Sequence, residues 1–148
     1  MKTTKLENLA ACREAIEYVK TCKSAKDAWM NCDRGDWMLW LAKRLNVDDR
    51  KLTLTKATCA NQVRHLMKDQ RSLDALDACF RYANGEISRS ALDIYDAADA
   101  AAAAYSAAYS AAAYSAAAYT ESLRKSAGIC REILTDVVLK NYKNAKNK

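Results

Sequence analysis

Ala101-Ala102-Ala103-Ala104-Tyr105-Ser106-Ala107-Ala108-Tyr109-Ser110 is the centre of a stretch, Ser88 to Ala127, written almost wholly in alanine, tyrosine and serine. Alanine loses no side-chain entropy in a helix and has the highest helix propensity, so this text favours helix before any tertiary contact forms. Neither glycine nor proline interrupts it. The pattern predicts one long helix, roughly 60 Å if unbroken. A compact chain of this length has a radius of gyration of about 15 Å, so such a helix must end early, bend or project. On a helical wheel Tyr95, Tyr105, Tyr109 and Tyr119 form one stripe and Tyr114 points the other way. The expected result is an alanine-lined packing helix with an aromatic seam. Its other use would be a tyrosine-rich face for a partner protein.

Outward from this stretch, the composition supports an all-α fold. The chain has 148 residues, half of them apolar and 28% charged, which suits one folded domain rather than a disordered chain. Proline is absent and glycine occurs only at 35, 85 and 128, so strand-and-turn signals are few. The expectation is a single helical bundle of six to seven helices over 1–140, with 141–148 as a basic, frayed tail.

Several classes are disfavoured. The N-terminus lacks a secretory apolar run, and no stretch has the eighteen strongly apolar residues of a membrane span, so a cytoplasmic protein with no membrane partner is expected. The six cysteines sit near apolar positions of helical patterns, which points to reduced, buried thiols rather than disulfides. The chain carries +6 overall, but positions 90–123 hold only Asp93, Asp96, Asp99 and Glu121 and no base, so the remainder carries +10. Its lysines and arginines form no recognisable nucleic-acid module, and no specific nucleic acid is expected as a partner. His65 is the lone histidine and no Cys-x-x-Cys pair accompanies it. No metal or other cofactor is expected, and no catalytic residue.

In chain order, Thr4 and Glu7 have capping-box spacing and open a first helix to Cys22, with Leu6, Leu9, Cys12, Ile16 and Val19 inward. Ser24 with Asp27 starts a second. Asp33 or Asp36 caps a third through Leu45, in which Trp37, Trp40, Leu41, Arg44 and Leu45 share a face. Asp36 either pairs with Arg34 or the helix amides, or is a recognition carboxylate. Asp48 or Asp49 caps a helix through Lys68. Gln70 or Ser72 begins another that Asn84-Gly85 closes as a left-handed cap. Ser88 is the expected N-cap of the alanine helix, which gives way after Thr120 to an amphipathic pattern through Cys130, Ile133, Leu134, Val137 and Val138. Gly128 within it marks a bend or a close approach.

The segments Ala11-Cys12-Arg13-Glu14-Ala15, Arg34-Gly35-Asp36-Trp37-Met38-Leu39-Trp40-Leu41-Ala42, Cys59-Ala60, Arg71 with Ala75-Leu76, Tyr82-Ala83-Asn84-Gly85-Glu86-Ile87-Ser88, the alanine tract and Cys130-Arg131 carry a resemblance. The chain resembles the immunity-five-like group, small immunity proteins of bacteria and phages associated with polymorphic toxin systems. The resemblance covers most of the chain, and its Asp-Trp-Met-Leu-Trp words are its most specific part. It implies an all-helical, non-catalytic inhibitor that neutralises a protein target, a toxin or a defence-system component, by stoichiometric occlusion.

The residues expected to bind that partner are Asp36, Trp37, Trp40 and Arg71 as the motif cluster. The alternative face is the outward side of the alanine helix, with Asp93, Asp96, Asp99 and Tyr114. Three other readings stand beside this one. The first is a phage-encoded inhibitor of a bacterial defence complex. The second is a homo-oligomerising helical module that uses the alanine-tyrosine seam. The third is an enzyme with Asp33, Asp36, Arg34, Arg71 or His65 in one cleft, or a cysteine paired with His65.

Overall fold

The computed structural model describes residues 3–95 and 116–145, with backbone alone at 116 and 117. Every regular element among them is helical, as the sequence predicts. In chain order these are α1 (Thr4–Asn8), α2 (Arg13–Thr21), α3 (Ala25–Asn31), α4 (Gly35–Arg44), α5 (Asp49–Asn61), a 3-10 turn (Arg64–Leu66), α6 (Gln70–Ala83), α7 (Arg89–Asp93) and α8 (Ala116–Asn144).

The organising element is α8, a 29-residue helix. Leu123, Ala127, Cys130, Leu134 and Val138 are buried at spacings of four, three, four and four, which puts them on one face. That face meets Trp29 of α3, Met38 and Ala42 of α4, and Leu52 of α5. Full burial of a leucine or valine side chain contributes roughly 1.5–3 kcal/mol, so this seam is a large share of the stability of a small domain. Polar ties fix its register: Trp29 donates its indole N–H to Thr135 Oγ1 at 2.9 Å, and Asn141 donates to the Leu45 carbonyl at 3.0 Å.

At the C-terminal end of α8, Lys5 donates to the Tyr142 carbonyl at 2.9 Å. A cation there satisfies a terminal carbonyl and complements the negative end of the helix dipole. Tyr142 packs against the main core, so the ordered helix continues four residues past the boundary expected at 140.

A second core joins α5, α6 and α7. Ala57 and Ala60 face Ala75, Leu76 and Ala78, with Tyr82 and Leu92 closing its end. Close packing through alanine, expected of the tract at 88–127, thus operates between α5 and α6. A third, smaller cluster sets Leu6 and Val19 against Cys22 and Ala28.

Several local expectations hold. Ser24 Oγ accepts from the Asp27 amide at 3.0 Å, Asp48 from Lys51 at 3.1 Å and Ser88 from Ala91 at 3.1 Å. Gly85 ends α6 with φ +82°, its N–H bonded to the Tyr82 carbonyl and that of Glu86 to the Arg81 carbonyl. This is the left-handed cap that Asn84-Gly85 predicts.

Others need correction. The helix expected from Thr4 to Cys22 is two helices, separated at Leu9–Cys12, where Ala10 takes φ +61°. Neither Asp33 nor Asp36 caps α4, whose N-cap is Arg34 with no side-chain cap. The helix expected to reach Lys68 stops at Asn61, and α6 is capped by Asp69. The helix that Ser88 opens runs to Asp93 and turns at Ile94–Tyr95, so it is not one unbroken rod from Ser88. The alanine tract between 96 and 115, with Tyr105, Tyr109 and Tyr114, lies outside the described residues. From 116 onward the helix passes through Thr120 without a break. Gly128 makes no close approach, since a Cβ there would meet nothing within 4 Å.

Candidate functional site

The most specific words of the sequence converge on the N-terminus of α4. Gly35 is required there by packing: a Cβ on it would lie 2.5 Å from Ser126 Cβ and 2.8 Å from the Ala127 backbone nitrogen. This contact seats the start of α4 directly on α8. Arg131 of α8 adds a hydrogen bond to the Cys32 carbonyl at 2.6 Å. The loop Cys32–Arg34 is therefore held at both ends.

On this seat Arg34 and Asp36 pair through two bonds, Nε to Oδ1 at 2.9 Å and Nη2 to Oδ2 at 2.6 Å. Both side chains remain about two-fifths exposed. The Asp36 hydrogen bonds hold the Arg34 guanidinium above the usual arginine range, against a smaller opposing effect of desolvation. The guanidinium carbon lies 4.3 Å from the centre of the Trp37 ring, a stacked cation–π arrangement. Tyr18 backs Trp37 from below, its ring centre 6.1 Å away, and is anchored by its hydroxyl to the Ala28 carbonyl at 2.9 Å.

A segment of α8 reaches the same surface. Tyr119 on it is 44% exposed. Arg124 bridges Asp33 at 3.9 Å and Glu121 at 3.2 Å. The result is a preorganised patch of arginine, tryptophan and tyrosine, framed by exposed acidic and basic side chains.

The remaining predicted residues divide between this patch and other places. Trp40 lies one turn further along α4 and, with Trp37, Met38, Leu41 and Tyr142, lines an apolar cavity of about 70 Å³. Arg44 sits 5.9 Å over Trp40 and donates twice to the Leu9 carbonyl, at 3.0 and 2.9 Å, tying α4 to the end of α1. Arg71 is not brought into this group; it is 90% exposed at the N-terminus of α6 and pairs with Asp69 at 2.8 Å. Asp93 pairs with Arg89 at 3.0 Å. Asp96, Asp99 and Tyr114 fall outside the described residues. His65 is exposed in the 3-10 turn.

Sequence reading missed a second arginine–aromatic network. Tyr82, 5% exposed, donates its hydroxyl to Asp49 Oδ2 at 2.8 Å, and Arg89 donates to the same oxygen at 2.8 Å. Arg50 stacks 4.4 Å from the Tyr82 ring centre and donates to the Tyr82 and Ile87 carbonyls. The one available signal was Asp49-Arg50 in the first turn of a helix. Partners 33 and 40 residues away leave no local pattern.

None of the six cysteines is in a disulfide; five are buried and Cys12 is exposed, contrary to the expectation that all would be buried. Inside the seam, a hydrogen bond from Cys130 pulls the Cys59 thiol down, and that same bond, with burial, pushes Cys130 up. Among the described residues no three His, Cys, Asp or Glu side chains gather as a metal would require. No described helix is long and apolar enough to cross a membrane. A scan of protein-family models, a search of curated proteins and a search of solved structures each find nothing that matches this chain.

Proposed function

We propose that this protein is a non-catalytic inhibitor of the immunity type, which binds a protein target one to one and blocks it by occlusion. The observation that supports this most is the Arg34–Trp37 stack, backed by the Tyr18 ring and partly open to water. Tryptophan, tyrosine and arginine are the side chains that most often dominate binding energy at protein interfaces. Here the arginine is already fixed by Asp36, so little rotamer freedom remains to be lost on association. A contact of roughly 800 Å² per partner centred on Arg34 would suffice for a specific complex. The resemblance to the immunity-five-like group points to the same mode of action, with a toxin or a defence-system component as the target.

The test is capture from native host lysate with the wild-type chain and an Arg34→Ala variant as baits. The purified captured protein is then titrated with each chain in an assay of its own activity. A partner held by the wild type, lost by the variant and inhibited to completion at a one-to-one ratio supports the reading. A partner that the variant holds equally well, or that binds without losing activity, contradicts it.

A further inference from the structure

A cleft of about 560 Å³ opens on the opposite side of Gly35's helix from the apolar cavity, between α4, α5 and α7. It exists because α5 packs closely on α6 and α8 but sparingly on α4. The left-handed turn at Asn46, φ +53°, sends the chain away from α4 before α5 begins. Small residues on α5 do the rest. Its inner wall is apolar, built from Leu39, Val47, Leu52, Ala57 and Leu92 with the Cys59 and Cys79 thiols.

Its polar lining is one-sided. Lys43, Lys56 and Arg89 stand on the cleft, and Asp49 is its one carboxylate among the described lining residues. Asp49 is turned toward α6 and α7 through Oδ2, which accepts from both Tyr82 and Arg89. Among the described residues neither Lys43 nor Lys56 has a salt bridge or a side-chain hydrogen bond. Both line the one cleft, where partial burial first, and then the Lys43 charge, hold the Lys56 ammonium below the usual lysine range against the opposing pull of Asp49. Asn46 and Thr53 supply neutral hydrogen-bonding groups on the same lining.

We infer that this cleft binds a small amphipathic anion, a monocarboxylate whose aliphatic or aromatic body lies on the apolar wall and whose head group sits between Lys43 and Lys56. The volume falls in the range of roughly 300–1,000 Å³ typical of small-molecule sites, and an apolar wall with a few convergent polar groups is their usual make-up. A cation is repelled by the rim. A nucleic acid would find an apolar floor and few cations, where phosphate recognition calls for many. The site shares no residue with the Arg34 patch, so its fate and that of the inhibitor reading are independent.

The test is an amide-resonance NMR titration of the full chain with octanoate, alongside acetate and octyltrimethylammonium. Octanoate should give saturable shifts at Leu39, Val47, Thr53 and Lys56, with neither control reproducing them. Lys43→Gln/Lys56→Gln should weaken octanoate by about tenfold or more, and Lys43→Arg/Lys56→Arg should stay within about threefold of wild type. Both pairs are on the exposed rim, so the fold serves as its own control through the unshifted remainder of the spectrum. Binding of the ammonium amphiphile equal to that of octanoate would overturn the proposal. So would shifts centred on Trp37 and Trp40, unchanged affinity in the glutamine pair, or no saturable shift at all. Saturable shifts with an acidic peptide and none with octanoate would also overturn it, in favour of a macromolecular ligand.

Discussion

Arg34 on Trp37 and Arg50 on Tyr82 are the same pair chemically, a guanidinium 4.3 or 4.4 Å from an aromatic ring centre. They differ in what surrounds them. Arg50 donates into two backbone carbonyls, and Tyr82 is buried with its hydroxyl bonded to Asp49, so this stack joins α5 to the end of α6 and the loop before α7. Among the described residues, the Arg34 side chain donates only to the neighbouring Asp36, and both remain partly open to water. An exposed pair of this kind contributes little to folding, whereas a half-buried donor that satisfies carbonyls contributes more. One stack ties helices together; the other is partly open to water, and in the function we propose it is the surface that meets the partner.

The largest expected effect comes from Tyr82→Ala, which removes a buried ring and leaves Asp49 and Arg89 without their third partner. It should cost about 3–5 kcal/mol, read as a lower urea midpoint with two-state behaviour retained. A loss under about 1 kcal/mol would mean that the network only decorates the surface. Next is Gly35→Ala, whose added methyl must displace Ser126 and the α8 backbone; about 1–3 kcal/mol is expected, because overpacking against backbone cannot relax cheaply. It would loosen the seat of the exposed stack without touching the buried one.

The legibility of these features in the sequence follows the reach of the interactions. Ser24, Asp48, Ser88 and Asn84-Gly85 announce helix ends because a cap is a contact over two or three residues. The Arg34–Asp36 pair was legible for the same reason, its partners being two positions apart; the stacking of Arg34 on Trp37 was not read, because the apolar spacing assigns Trp37 to the face it shares with Trp40 and Leu41. The break between α1 and α2 was not, since neither glycine nor proline marks it and the apolar spacing runs straight across Ala10. The Tyr82–Asp49–Arg89 network and the cleft were not either, being products of helices meeting across long sequence separations. The alanine tract was read correctly as helical text from 116 to 127, but as a single rod from Ser88 it was wrong at Ile94.

Smaller effects sharpen the contrast. Arg50→Ala should cost about 2 kcal/mol through its unsatisfied carbonyls. Tyr82→Phe keeps the ring and loses one hydrogen bond, for about 1 kcal/mol at neutral pH. It should also change the alkaline limb. Burial first, then the bond to Asp49, pushes the Tyr82 phenol above its ordinary value near 10, so the folded state holds this proton more tightly than the unfolded chain. That contribution is complete below about pH 10 and is lost as pH rises through the folded value. Tyr18 and Tyr142 are shifted in the same direction by burial. Stability should therefore fall above pH 10, and less steeply in Tyr82→Phe than in wild type; an equal slope would remove Tyr82 from the alkaline response.

The most direct test measures two quantities on one variant, Arg34→Ala: its urea midpoint and its affinity for the captured partner. The predicted result is a stability change under about 1 kcal/mol together with a loss of binding of about tenfold or more. An Arg34→Ala chain that unfolds as readily as Arg50→Ala, or that binds its partner as tightly as wild type, would contradict the division of labour between the two stacks.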